Sequence, residues 1–136
     1  MGLEGDALLS EHRGHLGQLA RDATLEGASL LVVVGGDGAV HEVANGLAGL
    51  DHTPAVALIP RGTGGDFART FGIPSDVTTA AGIALGGDTQ TIDLGRVAYR
   101  AWNGDDADAV FANVASAGMS GAIAQRANAR SKALGA

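Results

Sequence analysis

The chain has 136 residues, the size of one modest domain, and 15 acidic against 9 basic residues give a formal net charge of −6. That balance argues against non-specific nucleic-acid binding, which needs a basic surface to displace counterions from phosphates. With no cysteine, disulfides, thiolate nucleophiles and Cys-ligated zinc are excluded. The longest apolar run, Leu30-Leu-Val-Val-Val34, is far shorter than the roughly 20 residues that span a bilayer. No basic-then-apolar leader opens the sequence, so the cytoplasm is the expected compartment. The 22 glycines follow no collagen period, and aromatics make up only 4%. A core built from Ala, Val and Leu at this size is thin, which points to a partial domain.

In chain order, Asp6 to Thr24 has helical spacing, with Leu9, Leu16, Leu19/Ala20 and Ala23 recurring between charged residues. Gly14 and Gly17 weaken that pattern. Ser29 to Val34 is a β-branched run without alternation, as in a parallel strand covered on both faces. It ends in Gly35-Gly-Asp-Gly38, and Ala39 to Leu50 resumes helical spacing. Ala55 to Ile59 is a second buried-strand candidate, followed by the glycine loop Arg61-Gly-Thr-Gly-Gly-Asp66 and a short helix to about Phe71. Ser75 or Asp76 caps a further predicted helix that runs to Leu85 and stops at Gly86-Gly87. After Asp88 the style changes. Thr89 to Tyr99 and Asp108 to Ser116 are predicted strands joined by a turn at Asn103-Gly-Asp-Asp106, so a separate antiparallel region is expected. Met119 to Leu134 is the last predicted helix, with Arg126, Arg130 and Lys132 in its later turns.

Strand, glycine loop, helix, repeated twice, predicts an α/β fold with both loops at the carboxyl edge of one parallel sheet. Each loop feeds a helix start, where free backbone N–H groups and the helix dipole favour a phosphate. A Gly-x-x-x-x-Gly-Lys-Ser/Thr loop is excluded because the single lysine, Lys132, lies far from either loop. A protein-kinase assignment fails for want of the same residue. Gly-x-Gly-x-x-Gly fails as well, since the sixth position is His41 from Gly36 and Phe67 from Gly62.

The segment Val34-Gly-Gly-Asp-Gly-Ala-Val-His-Glu-Val-Ala-Asn-Gly-Leu47 resembles the GGDGT-x-x-E-x-x-N-G-L motif of the diacylglycerol kinase catalytic-domain family. Ile59-Pro-Arg-Gly-Thr-Gly-Gly-Asp-Phe-Ala-Arg69 is similar to its second motif, P-x-G-T-G-N-D-F-A-R. Ile92-Asp-Leu-Gly95, Phe111-Ala-Asn-Val-Ala-Ser-Ala-Gly118 and the stretch around Gly14-His15 resemble further family segments in the same order. The resemblance implies a kinase with an ATP-binding α/β lobe, here residues 1–88 without its first unit, and the start of a β-rich lipid-binding lobe over 89–136. By the same resemblance Gly35, Gly36, Asp37, Gly38, Ala39, Val40 and His41 wrap the nucleotide phosphates, and Thr63 contacts the nucleotide from the second loop. Asp37 is the implied catalytic carboxylate, taking the proton of the lipid hydroxyl in some members of the family. In others an acidic residue of the second lobe takes that part. ATP and Mg²⁺ are the implied cofactors, a lipid such as diacylglycerol the substrate, and the inner membrane face a transient contact.

The motif departs from the family at two positions. Ala39 replaces a threonine, and Gly65 replaces an asparagine. A truncated nucleotide-binding module without turnover is the alternative reading, and an NAD kinase-like enzyme, which shares GGDG, is a third. Glu42 and Asn45, three apart on one helix face, fit a role in holding that helix against the loops. For Asp37 and Asp66 the competing role is helix capping. His12 and His15 read as solvated helix residues, because a metal site needs a third convergent ligand.

Overall fold

The computed structural model describes residues 5–116. Four helices and four strands follow in the order α1 (His15–Leu25), β1 (Leu30–Gly35), α2 (Asp37–Leu47), β2 (Ala55–Pro60), α3 (Asp66–Thr70), α4 (Val77–Gly86), β3 (Gly95–Arg100) and β4 (Asp106–Phe111). β1 and β2 pair in parallel, from Leu30 opposite Ala55 to Gly35 opposite Pro60. β3 and β4 form an antiparallel hairpin, with Arg100 opposite Asp106. The α/β reading therefore holds for the first sheet, and the antiparallel region forms a second one.

The core gathers Ala20, Val33, Val43, Leu47, Leu58 and Ala68, with Leu16, Val40, Phe67 and Ile73 packed at its margin. It lies between the first sheet and the helices, and small aliphatic side chains dominate it. Helices α1 and α2 approach so closely that backbone meets backbone. A Cβ on Gly17 would stand 2.7 Å from the Glu42 carbonyl oxygen, and one on Gly46 would overlap the Gly17 carbonyl. Gly17, which weakens the helical pattern in the sequence, is what lets the pair close.

Three expectations need correction. The first helix starts at His15, not Asp6, because Gly14 takes a left-handed φ of 85° and breaks the backbone path there. His12 consequently lies outside the helix and stacks on His15 with ring centroids 4.7 Å apart. The first hairpin strand begins at Gly95 rather than Thr89, and the second covers Asp106–Phe111 rather than 108–116. The turn is displaced toward the chain start. Gly104 adopts φ 90° and the Ala101 N–H donates to the Asp105 carbonyl, so Asp106 already pairs with Arg100. Helix α4 matches its expected cap, since the Asp76 carboxylate accepts the Thr79 N–H at 2.9 Å and Gly87 ends the helix at φ 78°. The predicted helix at 119–134, with Arg126, Arg130 and Lys132, falls outside the described residues.

Candidate nucleotide site at the paired glycine loops

Parallel pairing of β1 with β2 brings both glycine loops to the same sheet edge. The Arg61 N–H donates to the Gly35 carbonyl at 2.8 Å, extending the ladder one step past the strands. The loops then touch. A Cβ on Gly36 would fall 2.7 Å from the Gly62 Cα, closer than real Cβ atoms come to backbone. The loop that carries Gly35 to Gly38 thus lies against the loop that carries Thr63. Thr63 is exposed in the second loop, and Gly38 and His41 are exposed on the first turns of α2. Gly36 caps α2 in an extended conformation, and among the described residues no side chain caps its first turn. Ala39 turns its methyl toward Gly35.

Asp37 is not an isolated acid. Its Oδ1 accepts the Phe67 N–H at 2.8 Å and its Oδ2 the Asp66 N–H at 3.2 Å. The carboxylate of the first loop therefore caps α3, the helix that the second loop feeds. The Phe67 N–H is the main reason that the Asp37 carboxyl lies below the ordinary carboxylate range; partial burial opposes it, and the Asp66 N–H adds to the lowering. A Cβ on Gly64 would strike the same carboxylate, at 2.7 Å from Oδ2. Gly65, where the family has asparagine, holds φ 67°. Glycine and asparagine are the residues that adopt this left-handed region most readily, so the replacement keeps the backbone path.

The other polar residues of the first motif follow the same pattern. The Glu42 Oε2 accepts the Leu16 N–H at 3.3 Å and caps α1, whose own N-cap residue is Gly14. Asn45 bonds the backbone of Val110 in β4 through both ends of its amide, at 2.9 Å each. One helix thus satisfies backbone groups of three neighbours. Asp66 does not serve as the cap of α3; it pairs with Arg69 in the same helix, and Arg69 also donates to the Gly64 carbonyl at 2.6 Å. The Arg69 bond steadies the second loop, a role that its place at the end of the second motif does not disclose.

Two cavities meet at α2. One of about 170 Å³ is bounded by Asp37, Val40, Phe67, Phe111 and Asn113, between the loops and the end of β4. The other, about 710 Å³, is an open groove beside Arg13, Gly14, Gln18, Gly38 and Asn45. His41 borders both. Among the described residues no three His, Asp or Glu side chains converge as a metal site. No described helix is long and apolar enough to cross a membrane.

A family profile described as the diacylglycerol kinase catalytic domain matches residues 1–97. The chain belongs to this family. It is 46% identical over 79 residues to a diacylglycerol kinase of Bacillus subtilis, a match covering 57% of this chain and 26% of that protein. With a probable lipid kinase of the YegS-like type from Cronobacter sakazakii it shares 32% identity over 123 residues, 89% of this chain and 38% of the relative. A diacylglycerol kinase of known crystal structure from Bacillus anthracis superposes with a TM-score of 0.61 at 33% identity, covering 73% of this chain and 34% of that one. The chain thus spans between a quarter and two-fifths of the length of these relatives.

Proposed function

We propose that the chain carries the nucleotide-binding part of an ATP-dependent lipid kinase, which moves the γ-phosphoryl group of ATP to a lipid hydroxyl such as that of diacylglycerol. The observation that carries this reading is the backbone contact of Gly36 with Gly62. Two glycine loops that touch at the start of an α-helix without a side-chain cap form a shallow surface of N–H groups, and side chains there would block an approaching phosphate. Gly35 to His41 hold the phosphates in this reading, and Thr63 meets the nucleotide from the facing loop. The 710 Å³ groove that begins at Gly38 is large enough for the nucleoside. Mg²⁺ held by the nucleotide would neutralise the charge of its phosphates, and ATP would supply the activated phosphoryl group.

Asp37 is proposed as the catalytic carboxylate on the acceptor side. An ionised carboxylate has about four lone-pair positions. Phe67 and Asp66 take two of them, which leaves acceptor capacity for a lipid hydroxyl entering the 170 Å³ cavity. Its lowered pKa makes it a weak base, and that suits phosphoryl transfer, in which a loose transition state asks for orientation of the nucleophile before full deprotonation. Contact with a membrane surface follows from the acceptor's nature and is part of the same proposal.

A nucleotide-binding module without turnover is the second reading. It is favoured by Ala39, which offers a methyl where the family has a hydroxyl. The deciding experiment titrates Mg-ATP into the chain by calorimetry, beside Gly36→Asp, and follows labelled ATP into dispersed diacylglycerol. Saturable binding that Gly36→Asp abolishes supports the site, and labelled lipid separates the kinase from the module. A folded chain that takes up no Mg-ATP overturns both readings.

A further inference from the structure

Asn45 lies on α2, 65 residues before Val110 in the chain, and its contacts are those of a neighbouring strand rather than of a helix side chain. Its Nδ2 donates to the Val110 carbonyl at 2.9 Å, and its Oδ1 accepts the Val110 N–H at 2.9 Å. In an antiparallel pair the N–H and C=O of one residue point to the same side. Both groups of Val110 therefore face away from β3, and the carboxamide occupies the place of a third strand beside β4. The second Nδ2 hydrogen reaches the His41 carbonyl one turn back, at 2.8 Å, which fixes the amide's orientation. Val110 is the buried residue of the hairpin. The residues after it, Phe111 to Val114, form one wall of the cavity whose opposite wall carries Asp37, Val40 and Phe67.

We infer that Asn45 is a positioning residue: by pairing with Val110 as a strand would, it sets the end of β4 at a fixed height over Asp37 and the phosphate loops. The wall has one further polar tie among the described contacts, from the Thr70 hydroxyl to Asn113, and at 3.4 Å it is long. Asp37 and Asn45 stand on the same helix, so any group bound at the loops and the wall above it share one rigid reference. The inference rests on the proposed kinase reading for what occupies the cavity, and on the two bonds alone for the position of the hairpin.

Two variants of the whole chain test it. Asn45→Asp keeps the size and the Oδ1 acceptor but turns an oxygen toward the two carbonyls; Asn45→Ala removes both bonds. Amide hydrogen exchange is expected to speed up at least tenfold across residues 106–111 in both variants, with β1 and β2 as protected as in wild type. Spectra of all three proteins are compared at saturating Mg-ATP, because Asn45 also borders the groove assigned to the nucleoside and its replacement can change affinity. The nuclear magnetic resonance shifts that Mg-ATP induces at Ala112 and Asn113 in wild type disappear in the variants. Unchanged exchange in the hairpin overturns the inference, as do ATP-induced shifts at Ala112 and Asn113 that survive in Asn45→Asp. Equal loss of protection in β1 and β2 also overturns it, since Asn45 would then serve general stability. If wild type takes up no Mg-ATP the kinase reading fails, and the exchange comparison still decides whether Asn45 holds the hairpin.

Discussion

At Asp37 the behaviour of the carboxylate is set by the backbone that it accepts from. The Phe67 and Asp66 N–H groups stabilise its charged form, so its pKa in the folded chain lies below the ordinary value of 3.8. A group lowered on folding contributes stability that is complete above its unfolded value and is lost as the pH falls through the folded one. Thermal melts between pH 6 and 2 are therefore expected to show a decline below about pH 4, and Asp37→Asn should flatten part of it. Asp76 is lowered too, first by the Thr79 hydroxyl, and keeps the remainder of the decline in that variant. Asp37→Ala removes two bonds to the start of α3 and should cost on the order of 1–2 kcal/mol. Phosphoryl transfer should fall much further, by about 100-fold or more, if Asp37 orients the acceptor. A variant with normal transfer would remove Asp37 from the chemistry. Gly65 gives a second test at this scale. Its φ of 67° predicts that Gly65→Ala costs about 1 kcal/mol, while Gly65→Asn, the family residue, costs less. Urea denaturation of the two variants would order them, and Ala at or above Asn would contradict the argument.

Between elements, the contact of α1 with α2 turns on Gly17 and Gly46. Helix propensity alone predicts that alanine at either position stabilises, by about 1 kcal/mol. Packing predicts the opposite sign, because each Cβ would enter the backbone of the facing helix and force the pair apart, at a cost of about 1–3 kcal/mol. Net destabilisation is expected in urea for both variants, larger for Gly46→Ala, whose Cβ overlaps a carbonyl. A stabilised Gly17→Ala would mean that the helices can separate freely. The same glycine marks the limit of what the sequence discloses. Apolar runs mark β1 and β2 and apolar spacing marks α2, because burial against a sheet leaves a record in the chain, while the second glycine loop and the cap residues bound α3 and α4 to within a few residues. Gly14 and Gly17 read only as weaknesses in a helix. The αL turn that starts α1 at His15, and the close crossing that Gly17 permits, depend on partners that local pattern does not show. The site divides in the same way. The two glycine loops are legible next to their strands, and the family resemblance singles out Gly35 to His41 and Thr63 within and beside them. That Asp37 caps the helix of the other loop, that Glu42 caps α1 and that Asn45 meets Val110 are contacts across 26 to 65 residues, with no local signature.

For the whole molecule, the decisive feature is a parallel sheet of two strands that is covered unequally. Parallel sheets are normally buried on both faces, and two strands alone do not make a stable unit. Here Val33 and Leu58, paired in register, point into the core under the helices. On the opposite face Val34 lies beside Ile59; Ile59 is buried, on the strand that α4 packs against, whereas Val34 is 66% exposed and Val32 39%. Helix α4 thus shields the β2 half of this face and leaves the β1 half to solvent. Among the described residues β1 pairs on one side alone, and exposed β-branched residues on such a strand favour association between chains. Sedimentation velocity is accordingly expected to show concentration-dependent self-association, reduced by Val34→Thr, which preserves β propensity and removes apolar surface. Because Val34 packs against little among the described residues, the urea midpoint should move by no more than the equivalent of about 0.5 kcal/mol. A fall well beyond that would mean that the face is occupied in solution by something of this chain's own. An unchanged association with unchanged stability would locate the sticky surface elsewhere, with the apolar side of the hairpin, Val97 and Tyr99, as the next to alter.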